Sequence, residues 1–272
     1  MSRKLHPIVV FLSAVALMLL YAPLLAVAVA SLNKARLGFR WDGLSFGWYA
    51  KLLENETILD AAKNTLILAA TSTLVASVLG TMLAIGLERY PRPPRAKLAI
   101  ETVVDLPIVS PDIVFAAALV IACAVLRPIS DIFRPGLFPM VLGHVTFQVS
   151  FVALVVRSRL ALLGSSLSEA SHDLYATPWH AFRKVTFPLI APAVASGAML
   201  AFTLSLDDFV ISFFASGPSS DTLPIYIYAS LRRGLSPEIH ALSTVIVGAT
   251  ILLLVFGSWI GTAREPSGAK RH

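Results

Sequence analysis

Residues 7–32 read PIVVFLSAVALMLLYAPLLAVAVASL, an apolar run without a charged side chain. A helix needs about 20 predominantly apolar residues to cross the hydrocarbon core of a bilayer, so this run is long enough to span. Arg3 and Lys4 precede it and Ala28-Val29-Ala30 lies near its end, as in a secretory leader. A cleaved leader has a shorter apolar region, about 7–15 residues, and more apolar runs follow here. The stretch therefore reads as a retained first membrane helix.

Five further runs repeat the pattern. They lie between Lys63 and Glu88, over residues 106–126, between Arg134 and Arg157, over residues 185–214, and between Glu238 and Arg264. The third holds Asp112 and the fifth holds Asp207 and Asp208. The fold class expected is an all-α membrane protein with six transmembrane helices and both termini on one side. Composition agrees: 56% of residues are hydrophobic and 14% charged, against roughly 25% charged in soluble domains, and mean hydropathy is +0.76. Lys and Arg concentrate on the cytoplasmic side of membrane proteins. The short loop 89–97 carries Arg89, Arg92, Arg95 and Lys97, and the ends carry Arg3, Lys4, Arg264, Lys270 and Arg271. Both termini are therefore expected inside.

Several function classes drop out. The net charge of +6 is scattered between apolar runs, with no dense basic block or interleaved aromatics, so nucleic acid is not an expected partner. Cys123, the one cysteine, gives neither a disulfide framework nor a Cys-based metal site. The longest stretches between spans, 33–63, 161–184 and 215–240, are too short to bury a core of their own. There is no G-x-x-x-x-G-K-[ST] and no H-E-x-x-H. His144, His172 and His180 are dispersed, and no nucleophile–base or metal constellation emerges. No catalytic residue, cofactor or metal is expected, and any ATP site should lie on another chain.

The segment between the fourth and fifth spans has its own design. Ser166 and Glu169 are spaced as a capping box, which starts a short helix near Leu167. Leu167, Ala170 and Leu174 then share one face. Pro178 disfavours helix at Thr177 and suits the first turn of a second helix capped by Thr177. Trp179 and Phe182 give that helix an apolar edge, and Pro188 opens the fifth span. Physics alone allows an amphipathic connector lying on the bilayer.

The residues resemble something more specific. Glu169-Ala170 and the closing Phe187-Pro188 match the "EAA" loop of permease subunits of bacterial ATP-binding-cassette importers, with Ser171 in place of the second alanine and Tyr175 in place of the usual glycine. Residues 204–214, Ser216-Gly217-Pro218, residues 222–228, Arg232-Arg233-Gly234 and residues 236–244 extend the resemblance to the C-type permeases of spermidine/putrescine importers. The resemblance implies a type I importer fold and a bacterial inner-membrane location. It also implies partners: a second homologous permease, a dimer of ATPase subunits and a periplasmic substrate-binding protein, besides the lipid bilayer. The organisation expected is a first helix and outer loop (1–60), a transport core (61–263) with coupling loop 165–188, and a cytoplasmic tail (264–272). Glu169, Ala170, Asp173, Leu174, Tyr175 and Pro178 are the expected ATPase-coupling residues. A glycine at 175 would permit a positive φ, so Tyr175 is expected to shift the docking geometry.

Acids inside a membrane are costly and mark functional sites. Asp207 and Asp208 are adjacent, so on a helix their side chains diverge by about 100°. One is expected at the pathway or subunit interface and the other bonded to a neighbouring helix. Glu101, Asp105 and Asp112 surround Pro107 and Pro111, two prolines that must interrupt a helix. Asp105 and Asp112 join Asp207 and Asp208 as pathway candidates, with Glu101 and Asp105 also able to pair with Arg95 or Lys97. Such acids suit a cationic cargo, and Tyr226 and Tyr228, placed in an outer loop, offer aromatic faces. Ferric iron, thiamine or an opine are alternative cargoes. A secondary transporter coupling ions through Asp112, Asp207 or Asp208 is the reading from another class, but internal repeats are not evident.

Overall fold

The computed structural model describes residues 7–35, 40–90, 92–164, 166–234 and 237–262. It is helical almost throughout: α1 (Pro7–Ser31), α2 (Gly47–Glu54), α3 (Glu56–Arg89), α4 (Pro94–Val109), α5 (Asp112–Leu126), α6 (Leu137–Leu163), α7 (Ser166–Asp173), α8 (Pro178–Ala181), α9 (Phe187–Asp207), α10 (Val210–Ala215), α11 (Leu223–Arg233) and α12 (Pro237–Thr262). Among the described residues, four stretches are long and apolar enough to cross a membrane: α1, α3, α6 and the continuous run Pro178–Asp207. The pair α4 and α5, bent by 110°, makes a fifth if it counts as one span. The expected sixth corresponds to α12, apolar over Pro237–Leu252.

The chain divides into two compact units, one of residues up to Leu59 with those from Ile227 on, the other Asp60–Tyr226. In the first, α12 packs against α1 and α2. Side chains such as Phe11, Met18 and Leu25 on α1 remain exposed, as suits a helix whose solvent is hydrocarbon. The connection after α1 is pinned by buried Asn33. Its Oδ1 accepts from the backbone N–H groups of Ala35 and Asp42, and its Nδ2 donates to the Arg40 carbonyl. Trp48 Nε1 donates to the Asn33 carbonyl at 2.8 Å. Every polar atom of that side chain therefore has a partner, which buried amides require.

In the second unit α6 is the central helix, flanked by α4, α5, α9 and α10. Val152, Ala153 and Val156 of α6 form a core with Ala84 of α3 and Ile190 and Ala201 of α9. Lipid tails are as apolar as leucine, so such helices associate through close packing across small residues. Gly80 on α3 shows this directly. A Cβ added there would lie 2.8 Å from Val152 Cβ and 2.9 Å from the Val149 carbonyl. Gly80→Ala is therefore expected to cost about 1–3 kcal/mol as overpacking, read as a lower melting temperature in detergent. Gly248→Ala, whose added Cβ meets nothing within 4 Å, should melt no lower than the parent, since alanine is the better helix former.

The helix is interrupted at the paired prolines, as expected, and the second of them sets the position. Pro107 stays inside α4, and the chain breaks at Ser110 (ψ 141°) and Pro111 (ψ 132°). Pro111 is the cause: its ring excludes helical geometry from the residue before it. Pro107 merely forfeits one backbone bond.

Candidate coupling and translocation sites

Between α6 and α9 the chain forms the two short helices expected. The first, α7, begins at Ser166, although the Ser166 side chain and hence the capping-box bond lie outside the described residues, as do the side chains of Leu167 and His172. Its end carries the surprise. Tyr175 adopts φ +54°, the left-handed conformation reached with glycine-like geometry. The Ala176 N–H reaches back to the Ser171 carbonyl at 3.0 Å, the six-to-one bond of a Schellman stop. Tyr175 thus performs the backbone turn that glycine would, at a strain of roughly 1–2 kcal/mol. The expectation that tyrosine would not take this φ is corrected: the closing hydrogen bond and the following cap hold it there.

That cap is Thr177, whose Oγ1 accepts from the His180 N–H at 3.3 Å, with Pro178 in the first helical turn. The helix does not stop before the fifth span. A π-turn over Phe182–Thr186 carries α8 into α9, and Phe187 N–H bonds back to the Phe182 carbonyl. The widened turn lets the helix pass Pro188, which lacks an N–H to donate.

The surface of this segment is distinctive. Glu169, Ala170, Asp173 and Pro178 are exposed, and the large apolar side chains Leu174, Tyr175 and Trp179 are 81%, 96% and 67% exposed. Ser171, at the second alanine position of the loop pattern, is the residue turned inwards at 8%. A small side chain there fits burial, so its departure from alanine is mild.

The acids separate into different environments. Asp207, the last residue of α9, is exposed. Asp208 turns into the bundle, where Oδ2 accepts from Ser212 N–H at 2.8 Å and Oδ1 from Ile211 N–H at 3.3 Å, capping α10. It also meets His144 Nε2 at 3.2 Å. His144 is fully buried, with Nδ1 2.7 Å from Ser205 Oγ and Nε2 3.1 Å from Ser212 Oγ. Ser205 lies 3.4 Å from Ser72 of α3. The sequence reading missed this cluster. Serine, histidine and aspartate occur together in hydrolases, but Ser205 here is 2% exposed and offers no face to a substrate.

Asp105 on α4 and Asp112, the first residue of α5, are exposed. Asp112 follows immediately on the bend, rather than lying deep in an unbroken span. Glu101 pairs chiefly with Arg157, and only weakly with Lys97. Arg157 of α6 donates from one guanidinium to Glu101 Oε1 at 2.5 Å and Glu88 Oε1 at 3.1 Å, while Lys97 stands 4.0 Å away. Tyr226 and Tyr228 belong to α11 rather than to a loop, and Arg232 lies over the Tyr228 ring at 5.1 Å.

A membrane-length helical bundle with an exposed, apolar-tipped turn and exposed acids at helix breaks suits a component of a membrane translocation pathway that engages other chains. Residues 76–267 match the family described as "Binding-protein-dependent transport system inner membrane component". The chain is 39% identical over 246 residues to the putrescine transport system permease protein PotI of Escherichia coli K12, covering 90% of this chain and 87% of that one. It is 35% identical over 236 residues to the E. coli K12 spermidine/putrescine transport system permease protein PotC, covering 87% of each. A third relative, PotC of Haemophilus influenzae, is 36% identical over 241 residues, covering 89% of this chain and 91% of that one. Among solved structures, a bacterial ABC transporter importing the acidic polysaccharide alginate superposes with TM-score 0.73 at 19% identity, covering 95% of each chain. The MetNI methionine ABC transporter gives 0.62 at 19% identity, covering 82% of this chain and 100% of that chain. These two share the fold. The chain belongs to the family of inner-membrane components of binding-protein-dependent transport systems, and it is a permease rather than an enzyme.

Proposed function

We propose that the chain is a membrane-spanning permease subunit of an ABC importer that carries polyamines, putrescine or spermidine, into the cell. The observation that supports this most is identity of 35–39% with polyamine permeases along almost the whole chain. The fold by itself does not select cargo, since an alginate transporter shares it. Exposed Asp105, Asp112 and Asp207 suit a cation. The complete transporter has a second homologous permease, two ATPase subunits and a periplasmic binding protein, and the transport core of this chain is residues 61–263. Both termini and the α7–α8 turn face the cytoplasm, where Glu169, Ala170, Asp173, Leu174, Tyr175 and Pro178 meet the ATPase.

Reconstituted with those partners in lipid vesicles, the chain should support ATP-dependent uptake of labelled putrescine or spermidine. Alone, under a proton or sodium gradient, it should move neither. Uptake by the chain alone, or a complete complex that ignores both polyamines, would sink the reading. A second expectation concerns Tyr175. Tyr175→Gly removes left-handed strain but adds chain entropy of about 0.5–1 kcal/mol, so stability should change little. Loss of the exposed aromatic ring should nevertheless weaken ATPase retention several-fold, measured by the fraction of complex surviving purification. Unchanged retention would remove Tyr175 from the interface.

A further inference from the structure

The interruption between α9 and α10 begins locally, since Asp208 accepts from the N–H groups three and four residues on, a capping role aspartate favours, but no proline or glycine enforces it. Residues 204–214 read LSLDDFVISFF, without proline or glycine, and leucine, phenylalanine and isoleucine all continue a helix readily. Sharp helix breaks otherwise arise at proline, at glycine or serine pairs, or where a side chain inserts into the backbone ladder. Yet Asp208 is extended, at ψ 123°. What holds it is a side-chain set drawn from three helices: His144 of α6, Ser205 of α9 and Ser212 of α10, with Asp208 between the last two. Asp208 accepts two backbone N–H groups of α10, so it acts as an acceptor. The Nε2–H of His144 then supplies the third donor to it.

This set decides the fate of the neighbouring acid. In an uninterrupted helix Asp207 and Asp208 would diverge by about 100° on one surface. With Asp208 held inwards, Asp207 ends α9 as an exposed carboxylate. His144 stands thirteen positions before Arg157, about 20 Å along α6, which puts the cluster well away from the charged end of that helix. A carboxylate at the end of a membrane-spanning helix is costly against lipid, so its exposed face suits a partner chain or water. The carbonyl end of a helix also carries partial negative charge, and interrupted helices that point such ends into a cavity coordinate cations at membrane depth.

We propose that His144 is a positioning residue of the translocation path, holding Asp208 as the cap of α10 so that Asp207 alone is presented to an ammonium group of the cargo. The proposal rests on the polyamine-importer reading and goes beyond it by dividing the two acids. The test uses the complete transporter in lipid vesicles and measures labelled spermidine moved per ATP hydrolysed, beside the yield of assembled complex. Asp207→Asn should lower the ratio about tenfold or more with assembly intact. His144→Ala should give a similar fall, and His144→Gln, which restores an N–H donor, should recover a substantial part of it. In the double variant His144→Ala/Asp207→Asn the fall should be no larger than in Asp207→Asn alone, because both act through one carboxylate.

The inference is overturned if Asp207→Asn transports normally, or if the two defects multiply. It is equally overturned if His144→Gln restores assembly without restoring the ratio, which would make His144 structural only. Should His144→Ala fail to assemble, the Asp207→Asn and His144→Gln results still decide the matter. A parent complex that moves no polyamine points instead to failure of the functional reading.

Discussion

Glu169→Lys is expected to leave the chain inserted and paired with its permease partner while reducing ATP-driven uptake to background. Glu169 is exposed in the first turn of α7. There a carboxylate gains about 0.3–1 kcal/mol from the helix dipole, so reversing its charge costs the fold little. On the proposed role of α7, the cost is expected in docking. On the same turn, Leu174, Tyr175 and Trp179 present large apolar surfaces that no described residue covers fully, the composition of an interface centre. Charge mismatch across such an interface costs several kcal/mol, enough to lower retention of the ATPase a hundredfold or more. The measurement is co-purification of the ATPase with tagged permease, alongside uptake. Retained ATPase with normal uptake would show that α7 is not the docking element. Retained ATPase with lost uptake would move the role of Glu169 from docking to coupling.

The long helices were legible because a run of twenty apolar residues has one reading in a membrane. The ends and bends were harder. Pro107 and Pro111 announced an interruption, and the rule for the residue before proline places it at Ser110. Tyr175 illustrates the opposite limit. Local sterics argue against a positive φ for tyrosine, yet the Ala176–Ser171 bond and the Thr177 cap impose it. The His144 cluster could not be read from spacing. Its partners lie 61, 64 and 68 residues away, in no motif, and three dispersed histidines gave no reason to choose one. Its single sequence signal was indirect: adjacent acids in a span need at least one internal donor, and His144 and Gln148 were polar groups of the preceding span able to supply it. The chief partner of Glu101 was missed for a similar reason. Lys97, near in sequence, does stand 4.0 Å from Glu101, but the shorter bond comes from Arg157, on a helix 56 residues on.

That arginine carries the second large effect. Arg157→Ala is expected to destabilise the chain by about 2–4 kcal/mol, because it strips Glu88 and Glu101 of a shared counter-charge. All three side chains are largely buried, at 19%, 23% and 24% exposed, so water replaces the lost donors only in part. The clasp joins the end of α3 to the middle of α4 and the last third of α6, and Arg89 on α3 adds a bond to the Gly164 carbonyl at 3.0 Å. It therefore anchors α6 just before the chain enters α7, so loosening it should also reduce coupling between ATP hydrolysis and transport. Replacing all three charges by apolar side chains of similar volume, as Arg157→Met with Glu88→Met and Glu101→Met, separates the two effects. Removing an entire buried ion cluster is often close to neutral for stability, unlike breaking it. The triple variant should recover much of the melting temperature in detergent. If its transport per ATP also recovers, the clasp serves folding alone. If stability returns but transport does not, the charges themselves hold α6 and α7 in register. An Arg157→Ala variant that melts as the parent does would show that solvent and Lys97 already neutralise the two carboxylates, and the clasp contributes little.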